Sequence, residues 1–302
     1  DLENDGWLDL VVANDTLPNL VFHNERNGTF KEIGAASGLA FDNFGATRGA
    51  MGVDAARFQD DRSLGISIGN FANEMTAFYV SRDEPLVFAD EAITQGIGQA
   101  TRFSLTFGVF FFDYDLDGWL DLLTANGHIE DEIEKVQPNQ RYRQPAQLFW
   151  NARSRDPRAG FVPVPAEKSG QDLFQPIVGR GSAFGDIDAD GDLDVVIAQV
   201  NGPPLLLRND LEPRPNWLRV KLVGTRSTRD AIGAWVKLRA GGRTLWRQVM
   251  PTRGYLSQSE LPLTFGLGKA TRVDEFTVQW PDGTSQRVDP PALNRLVTIT
   301  EP

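Results

Sequence analysis

The chain has 302 residues, of which 41% are hydrophobic, and it carries a formal net charge of -11. This length and composition predict a globular protein of roughly two domains, and the sequence contains no run of about 18 apolar residues that could span a membrane. The acidic balance argues against a nucleic-acid partner, which requires a basic surface, and the absence of cysteine excludes disulfides, thiolate catalysis and cysteine zinc sites.

The sequence opens with an acidic loop, DLENDGWLD, which has Gly6 at its sixth position. The acids at positions 1, 3, 5 and 9 are Asp1, Glu3, Asp5 and Asp9. Alternate carboxylates before a glycine-permitted sharp turn are typical of a calcium loop, in which the backbone carbonyl of position 7, here Trp7, adds a ligand. Because a loop of this kind should follow a strand, we expect the sequence to be a fragment that lacks its natural N-terminus.

A degenerate copy of the loop follows in MGVDAARFQDDRSLGISIGNF. Asp61 keeps position 5, but Arg57 stands at position 1, Gln59 at position 3 and Arg62 at the turn glycine. Because a guanidinium at the first ligand position repels a cation, this copy is predicted to bind no metal.

Two further complete loops occur, FFDYDLDGWLD and DIDADGDLD. In the first of them the predicted ligands are Asp113, Asp115, Asp117, the carbonyl of Trp119, and Asp121. In the second they are Asp186, Asp188, Asp190, Asp192 and Asp194. Gly118 and Gly191 stand at the two turns. The sequence therefore predicts up to three calcium ions.

The loops begin at residues 1, 57, 113 and 186, a period of about 56 residues with one polar insertion after Gly127. Each loop is followed by an apolar run and then by two more strand-like segments. Units of about four short strands that recur at this length predict an all-β fold, a β-propeller whose blades lie near residues 1–50, 51–106, 107–179 and 180–211. The proline-punctuated segment LEPRPN then leads into residues 212–302, where alternating strands predict a small β-sandwich domain.

Other interpretations of the loops are weaker. An EF-hand needs a bidentate Glu at position 12, where Val12, Thr124 and Ile197 stand instead. Solvated acidic turns and a glycosidase carboxylate pair do not account for three copies with the same spacing. We expect calcium to stabilise the fold and not to take part directly in function. No catalytic residue is predicted, since the two histidines, His23 and His128, lie at unrelated positions in different units.

The repeats resemble FG-GAP/VCBS repeats, and NWLRVKLVGTRSTRDAIGAWVKL, GYLSQSELPLTFGLG and VDEFTVQWPDGTSQ resemble the ASPIC/UnbV domain. Together they cover nearly the whole chain in the order of the cartilage acidic protein-like family. The resemblance implies a calcium-binding β-propeller. Family propellers have about seven blades, so either blades precede this sequence or the propeller closes in an unusual way.

The resemblance also implies an exported module that binds or adheres to an extracellular protein or glycan, outside the cell, at its surface or in the periplasm. The alternative is a saccharide-active enzyme or biosynthetic accessory protein on a propeller scaffold, and a third interpretation is a spacer within a larger surface assembly. Convergent His, Tyr, Lys or Arg side chains on a propeller face would favour the enzyme. A smooth, aromatic or acidic face would favour binding.

Overall fold

The structure is a computed structural model, which describes all residues except 4, 60–62, 83, 85 and 157. The described chain is all-β: four successive antiparallel sheets are followed by a β-domain. No helix of the described residues is long and apolar enough to cross a membrane.

The first two sheets follow the order of the chain. The first contains β1 (Leu10–Val12), β2 (Leu20–Asn24) and β3 (Phe30–Glu32). The second contains β4 (Ala50–Arg57), β5 (Leu64–Asn70), β6 (Ala77–Ser81) and β7 (Phe88–Asp90). Each strand pairs with the next in an antiparallel ladder, as in the blade of a propeller.

The third and fourth sheets repeat this arrangement. The third contains β8 (Thr106–Phe112), β9 (Asp121–Asn126), β10 (Gln147–Asn151) and β11 (Phe161–Pro163). The fourth contains β12 (Gly179–Gly185), β13 (Asp194–Gln199) and β14 (Leu205–Leu207). Short helices lie in the connections: α1 (Gly34–Ser37), α2 (Gly98–Thr101), α3 (Ile133–Val136), α4 (Ala166–Ser169) and two 3-10 turns, Ala152–Ser154 and Asp172–Phe174.

The sheets stack radially as propeller blades, as predicted. In the second, third and fourth sheets the first strand is the innermost, because β8 contacts both β4 and β12. β8, TFGVFFF, is buried along its whole length, which agrees with the continuous apolar run expected of a strand covered on both faces. Phenylalanines fill the space between the second and third blades, where Phe58, Phe78, Phe111 and Phe161 pack edge to face or stacked.

The C-terminal domain is a small sandwich of two sheets. One sheet orders β20 (Leu263–Gly268), β15 (Asn216–Val223) and β23 (Leu296–Thr300), with β15 and β23 parallel. The other orders β17 (Arg243–Gln248), β16 (Trp235–Ala240), β21 (Glu275–Gln279) and β22 (Ser285–Arg287). A single apolar core lies between them, centred on the fully buried side chains of Leu218, Val236, Phe265 and Phe276.

The two ends of the blades differ. We call the end where β8 and β12 lead into residues 113–121 and 186–194 the acidic-loop face, and this end carries the sandwich. The opposite face carries the β5–β6 and β9–β10 connections, residues 71–76 and 127–146. In an up-and-down blade these connections lie at the far end of the strands from the acidic loops.

A hairpin of the C-terminal domain, β18 (Thr252–Arg253) and β19 (Ser257–Gln258), lies among the inner strands. Gly254 exchanges backbone hydrogen bonds with Val53 of β4. A Cβ at Gly254 would lie 3.0 Å from the carbonyl oxygen of Val109 in β8, and one at Gly181 of β12 would lie 3.0 Å from that of Tyr255. The hairpin therefore runs along the axis of the blades, from the sandwich toward the opposite face.

Candidate metal centre

The three acidic loops share one hydrogen-bonding pattern, which is clearest at position 9. One oxygen of each position-9 aspartate accepts the backbone N–H of position 2, at 2.8, 3.2 and 2.9 Å for Asp9, Asp121 and Asp194. The other oxygen accepts the N–H of an asparagine at or just beyond the end of the second strand that follows the loop, at 2.9, 2.7 and 2.8 Å. These asparagines are Asn24, Asn151 and Asn209. The aspartate thus pins the loop to its own blade.

Position 1 closes the turn. Asp1, Asp113 and Asp186 each accept the N–H of the glycine five residues later, at 3.3, 3.0 and 3.1 Å. Those glycines, Gly6, Gly118 and Gly191, have φ of 91°, 92° and 103°. Residues with a Cβ adopt such positive φ values only with steric strain, so glycine is favoured at these positions. The sharp turn that the glycine spacing predicts is therefore present in all three loops.

Carboxylate oxygens converge within each loop. In the second loop Asp113, Asp115 and Asp121 offer one oxygen each, all within 4.8 Å of one another, and in the third Asp186, Asp188 and Asp194 do the same. The first loop differs, because the convergent set is Glu3, Asp9 and the imidazole of His23. His23 Nδ1 lies 3.0 Å from Asp9 and 3.4 Å from Glu3. Asp1 is not in this set.

The predicted ligands at positions 5 and 7 lie beside these sets. Asp5, Asp117 and Asp190 each accept the backbone N–H of position 7, at 2.7, 2.8 and 3.2 Å. The residues at position 7 are Trp7, Trp119 and Asp192. The guanidinium of Arg243 lies over the ring of Trp119, 4.3 Å from its centre.

In the second loop the buried carboxylates repel one another, which destabilises their ionised forms when no cation is bound. Burial, together with repulsion from Asp117, raises the pKa of Asp113 well above its usual range and that of Asp115 to about 7. Burial followed by repulsion from Asp115 likewise raises the pKa of Asp121. In the third loop burial and the neighbouring Asp190 raise the pKa of Asp192 to about 7.

Several buried oxygens in the described loops also lack a hydrogen-bond partner: Glu3 Oε2, Asp113 Oδ1 and Asp192 Oδ1. Asp113 is 1% exposed, and a buried carboxylate oxygen without a partner costs stability. Oxygen-only donor sets of high negative charge fit calcium. The residues of the second and third loops therefore fit the predicted ion, whereas the first loop, which places an imidazole nitrogen among its donors, fits calcium less well.

The C-terminal domain holds the second acidic loop through several contacts. Gly266 donates its N–H to Asp113 Oδ2 at 3.1 Å, and Gly268 donates to the carbonyl of Leu116 at 3.0 Å. Arg243 donates to the carbonyl of Asp117 at 2.9 Å. Arg247 lies 3.7 Å from Asp113, and burial lowers the pKa of its guanidinium to about 10.

The third acidic loop is held by arginines as well. Arg219, 6% exposed, donates to Asp186 at 2.7 Å and forms a second ion pair with Glu260. Arg214 of the interdomain linker pairs with Asp190, and its Nε lies 3.4 Å from Asp192. Two cations of the protein therefore already contact the carboxylates of this loop.

The degenerate loop uses its arginine differently. The guanidinium of Arg57 lies 4.5 Å from the ring centre of Trp235 and 4.7 Å from that of Trp246, both in the sandwich. Position 1 of this loop therefore contacts the C-terminal domain through cation–π interactions. The predicted absence of metal here also concerned Asp61 and Arg62, which lie outside the described residues.

Two polar side chains, those of Arg180 and His128, lie close together at the opposite face, and both form hydrogen bonds with main-chain groups. Arg180 lies 4.1 Å above the ring of Phe107 and donates to the carbonyls of Gly127, Gly179 and His128. His128 is 3% exposed and its Nδ1 accepts the N–H of Glu130. Phe107 in turn packs edge to face against Tyr255 at the tip of the hairpin, and His128 packs against Phe71.

Sequence reasoning missed His23 and the recurring asparagine. A signal existed, because FHN, FWN and LRN occur at the same distance after the loop in two units and at the same place relative to the second following strand in all three. The arginines of the sandwich and linker gave no such signal, since their contacts join residues far apart in the chain.

The comparisons with known proteins agree with the repeats. Residues 1–64 match the FG-GAP-like repeat, and residues 224–302 match the family described as ASPIC and UnbV. Cartilage acidic protein 1 from Homo sapiens is 28% identical over 305 residues, covering 97% of this chain and 42% of that protein. The Xenopus tropicalis protein of that name is 27% identical over 309 residues, covering 99% of this chain and 44% of its own length. The resemblance predicted from the sequence is therefore confirmed.

The chain spans less than half the length of these curated relatives. Among solved structures, a β-fructofuranosidase mutant from Bombyx mori in complex with sucrose is similar with a TM-score of 0.39 and 10% identity, covering 96% of this chain and 73% of that one. A likeness this loose carries no argument about function.

Proposed function

We propose, from an FG-GAP-like repeat at one end of the chain and an ASPIC and UnbV domain at the other, that this protein is an exported binding or adhesion module. In this proposal its blades are stabilised by up to three calcium ions, and its partner is an extracellular protein or glycan. Relatives named cartilage acidic protein support the extracellular assignment.

The proposal rests on one observation: the same acidic loop occurs three times, and each copy brings several carboxylates together without enough positive charge to neutralise them. The same hydrogen bonds at positions 1, 5 and 9 hold the carboxylates together in all three copies, and oxygens such as Asp113 Oδ1 stay without a partner. Bound calcium would supply the missing positive charge. At a millimolar extracellular level even weak sites of this kind would fill.

The protein's own residues do the rest. Asp121 and Asp194 fix the loops to their blades, while Gly266 and Arg219 join them to the sandwich. Neutralised loops would therefore hold the two domains in one orientation, and the opposite face would stay open to a partner. Calcium in this account organises a scaffold and does not contact the partner.

The proposal is tested by probing protein and glycan arrays with the labelled 302-residue chain in calcium and in excess chelator. We expect a partner that is retained in calcium and lost in chelator. Binding that is indifferent to chelator would contradict the role given to calcium, and turnover of an arrayed saccharide would favour the enzyme alternative instead.

A further inference from the structure

A cavity of about 60 Å³ opens on the opposite face, between the first and second blades. Its walls come from the connection that precedes β4, from the β5–β6 connection and from the turn that follows β7. None of these segments carries an acidic loop. We call this cavity the blade pocket.

The blade pocket contains a buried acceptor that the described protein does not satisfy. Asn70 is 2% exposed, and its Nδ2 donates to the carbonyl of Met75 at 2.8 Å, whereas its Oδ1 is buried without a hydrogen-bond partner. Buried acceptors are almost always paired in native proteins, so this oxygen in the pocket wall can still accept a hydrogen bond from a donor outside the described protein.

The wall beside Asn70 is strained. Asn73 and Met75 have φ of 74° and 57°. A bulky, non-glycine residue such as Met75 is an outlier in this region of φ, and such residues concentrate at ligand-binding positions. Met75 lies in the pocket wall, so this backbone conformation occurs beside the unpaired oxygen of Asn70.

The charge around the pocket favours a cation. Three carboxylates, those of Asp42, Glu74 and Asp90, line it together with one guanidinium, that of Arg48. Arg48 is already paired with Asp42. Glu74 accepts the N–H of Gly49 at 2.7 Å, and that bond leaves its negative charge in place. An incoming ammonium would gain both the uncompensated charge and the oxygen of Asn70.

The rim of the pocket is apolar and its volume is small. Phe44 is 87% exposed and Ile93 is 55% exposed, and both line the pocket. Sites for whole small molecules enclose about 300–1,000 Å³, so a cavity of this size admits the end of a side chain. Phe44 and Ile93 would contact an alkyl stem, as apolar surfaces do around lysine, and the Phe44 ring can also attract the charge.

We propose that the blade pocket binds the ammonium end of a lysine side chain presented by a protein partner. The inference rests on the proposed binding function and narrows its partner from a protein or glycan to a protein with an exposed lysine.

The test uses amide NMR spectra of the calcium-loaded full chain, titrated with n-butylammonium as the probe. Saturable shifts are expected at the Asn70 side-chain amide and at the amides of Met75 and Thr76, with no comparable effect from n-butanol, which has the shape without the charge. n-Butylguanidinium should bind several-fold more weakly. Phe44→Ala should weaken n-butylammonium binding at least threefold. The matched control is Val136→Ala, which removes another exposed apolar side chain, 75% exposed on the same face, and should leave binding unchanged.

Three results would overturn the inference: no saturable shift, equal binding of n-butanol, or stronger shifts of the same amides with methyl glucoside, which would assign the pocket to a glycan. Failure here is distinct from failure of the proposed function. A partner found on the arrays that binds Phe44→Ala as tightly as the parent chain would leave the binding function standing and reject the lysine.

Discussion

Arg219 joins the two domains at the third acidic loop. Its side chain is 7% exposed, and its guanidinium lies between Asp186 of the propeller and Glu260 of the sandwich. Burial, opposed by the arginine, raises the pKa of Glu260, so this carboxylate depends on its partner to stay ionised. Removing one member of such a buried set leaves uncompensated charge in a poorly solvated place.

Arg219→Met should therefore lower the free energy of unfolding by about 3 kcal/mol. The matched control is Arg272→Met, because Arg272 pairs with Asp274 at the surface with its own side chain 83% exposed, and it should cost less than about 1 kcal/mol. Urea denaturation in excess calcium measures both. Equal losses in the two variants would contradict the role given to Arg219.

Glu301 near the end of the chain gives a pH dependence that lies outside the loops. Although burial opposes its ionisation, the N–H groups of Ser227, Thr225 and Arg226 hold its pKa at about 2, against a usual 4.5. Because the folded pKa is the lower one, the stabilisation is complete above about pH 5 and is lost as the pH falls toward 2.

Glu301→Gln should consequently lower stability at pH 7 and lose this disadvantage progressively between pH 5 and pH 2.5. The urea midpoints of the parent chain and of Glu301→Gln, measured across that pH range in chelator, give the difference in stability. Because both proteins contain the same acidic loops, the effect of loop titration cancels in this difference. A gap that stays constant with pH would show that Glu301 does not contribute through its charge.

At the scale of elements, the three loops share one backbone conformation but differ in whether an arginine pairs with the carboxylate at position 5. Arg26 pairs with Asp5 and Arg214 with Asp190, both at position 5. The corresponding Asp117 of the second loop accepts the N–H of Trp119, while Arg243 contacts its backbone carbonyl. A protein cation on the position-5 carboxylate competes with a metal ion for the same oxygen.

Arg214→Gln should therefore increase the calcium affinity of the third loop, by up to about fivefold for a partly exposed pair worth up to about 1 kcal/mol. Isothermal titration in low salt measures it. Arg272→Gln, whose arginine pairs with Asp274 in the sandwich and is 83% exposed, is the matched control. Unchanged or weaker calcium affinity in Arg214→Gln would show that Arg214 does not compete with the metal ion for Asp190.

The hairpin of the C-terminal domain is the other element with a clear physical logic. Gly52 lies at the irregular start of β4, where a Cβ would sit 2.3 Å from the carbonyl oxygen of Phe107 and 2.8 Å from Gly254. Similar irregularities occur at the starts of β8 and β12. Gly52, Gly108 and Gly181, each five residues before one of the last three loops, thus allow the close approach of the inner strands and the hairpin.

At the scale of the whole molecule, the repeating part of the fold was predictable and the interdomain part was not. The spacing of Asp113 to Asp121, its recurrence and the flanking apolar runs specify a strand, a turn and a second strand locally, so the blades followed from the sequence. The docking of Arg57 between Trp235 and Trp246 joins residues that share no periodicity, and only the folded chain brings them together. The position of the hairpin along the blade axis is of the same kind.

This division also explains which part of the candidate site was predicted. Acids at fixed spacing within nine residues are a local signal, whereas His23 enters the first loop from the next strand but one. Likewise Gly266 reaches Asp113 from a different domain. The loops were read as isolated motifs, but in the structure each is held by the rest of its blade, and two of them by the sandwich.

The central claim is that the acidic loops bind calcium and that this binding stabilises the propeller. The most direct measurement is the thermal midpoint of the 302-residue chain in about 1 mM calcium and in excess EGTA. Each site filled at about 100 times its dissociation constant adds roughly 2.7 kcal/mol, so calcium should raise the midpoint by several degrees. Asp117→Ala and Asp190→Ala should each remove part of that rise, while Asp61→Ala, at the same position of the degenerate loop, should leave it intact. An equal midpoint in calcium and EGTA would contradict the claim.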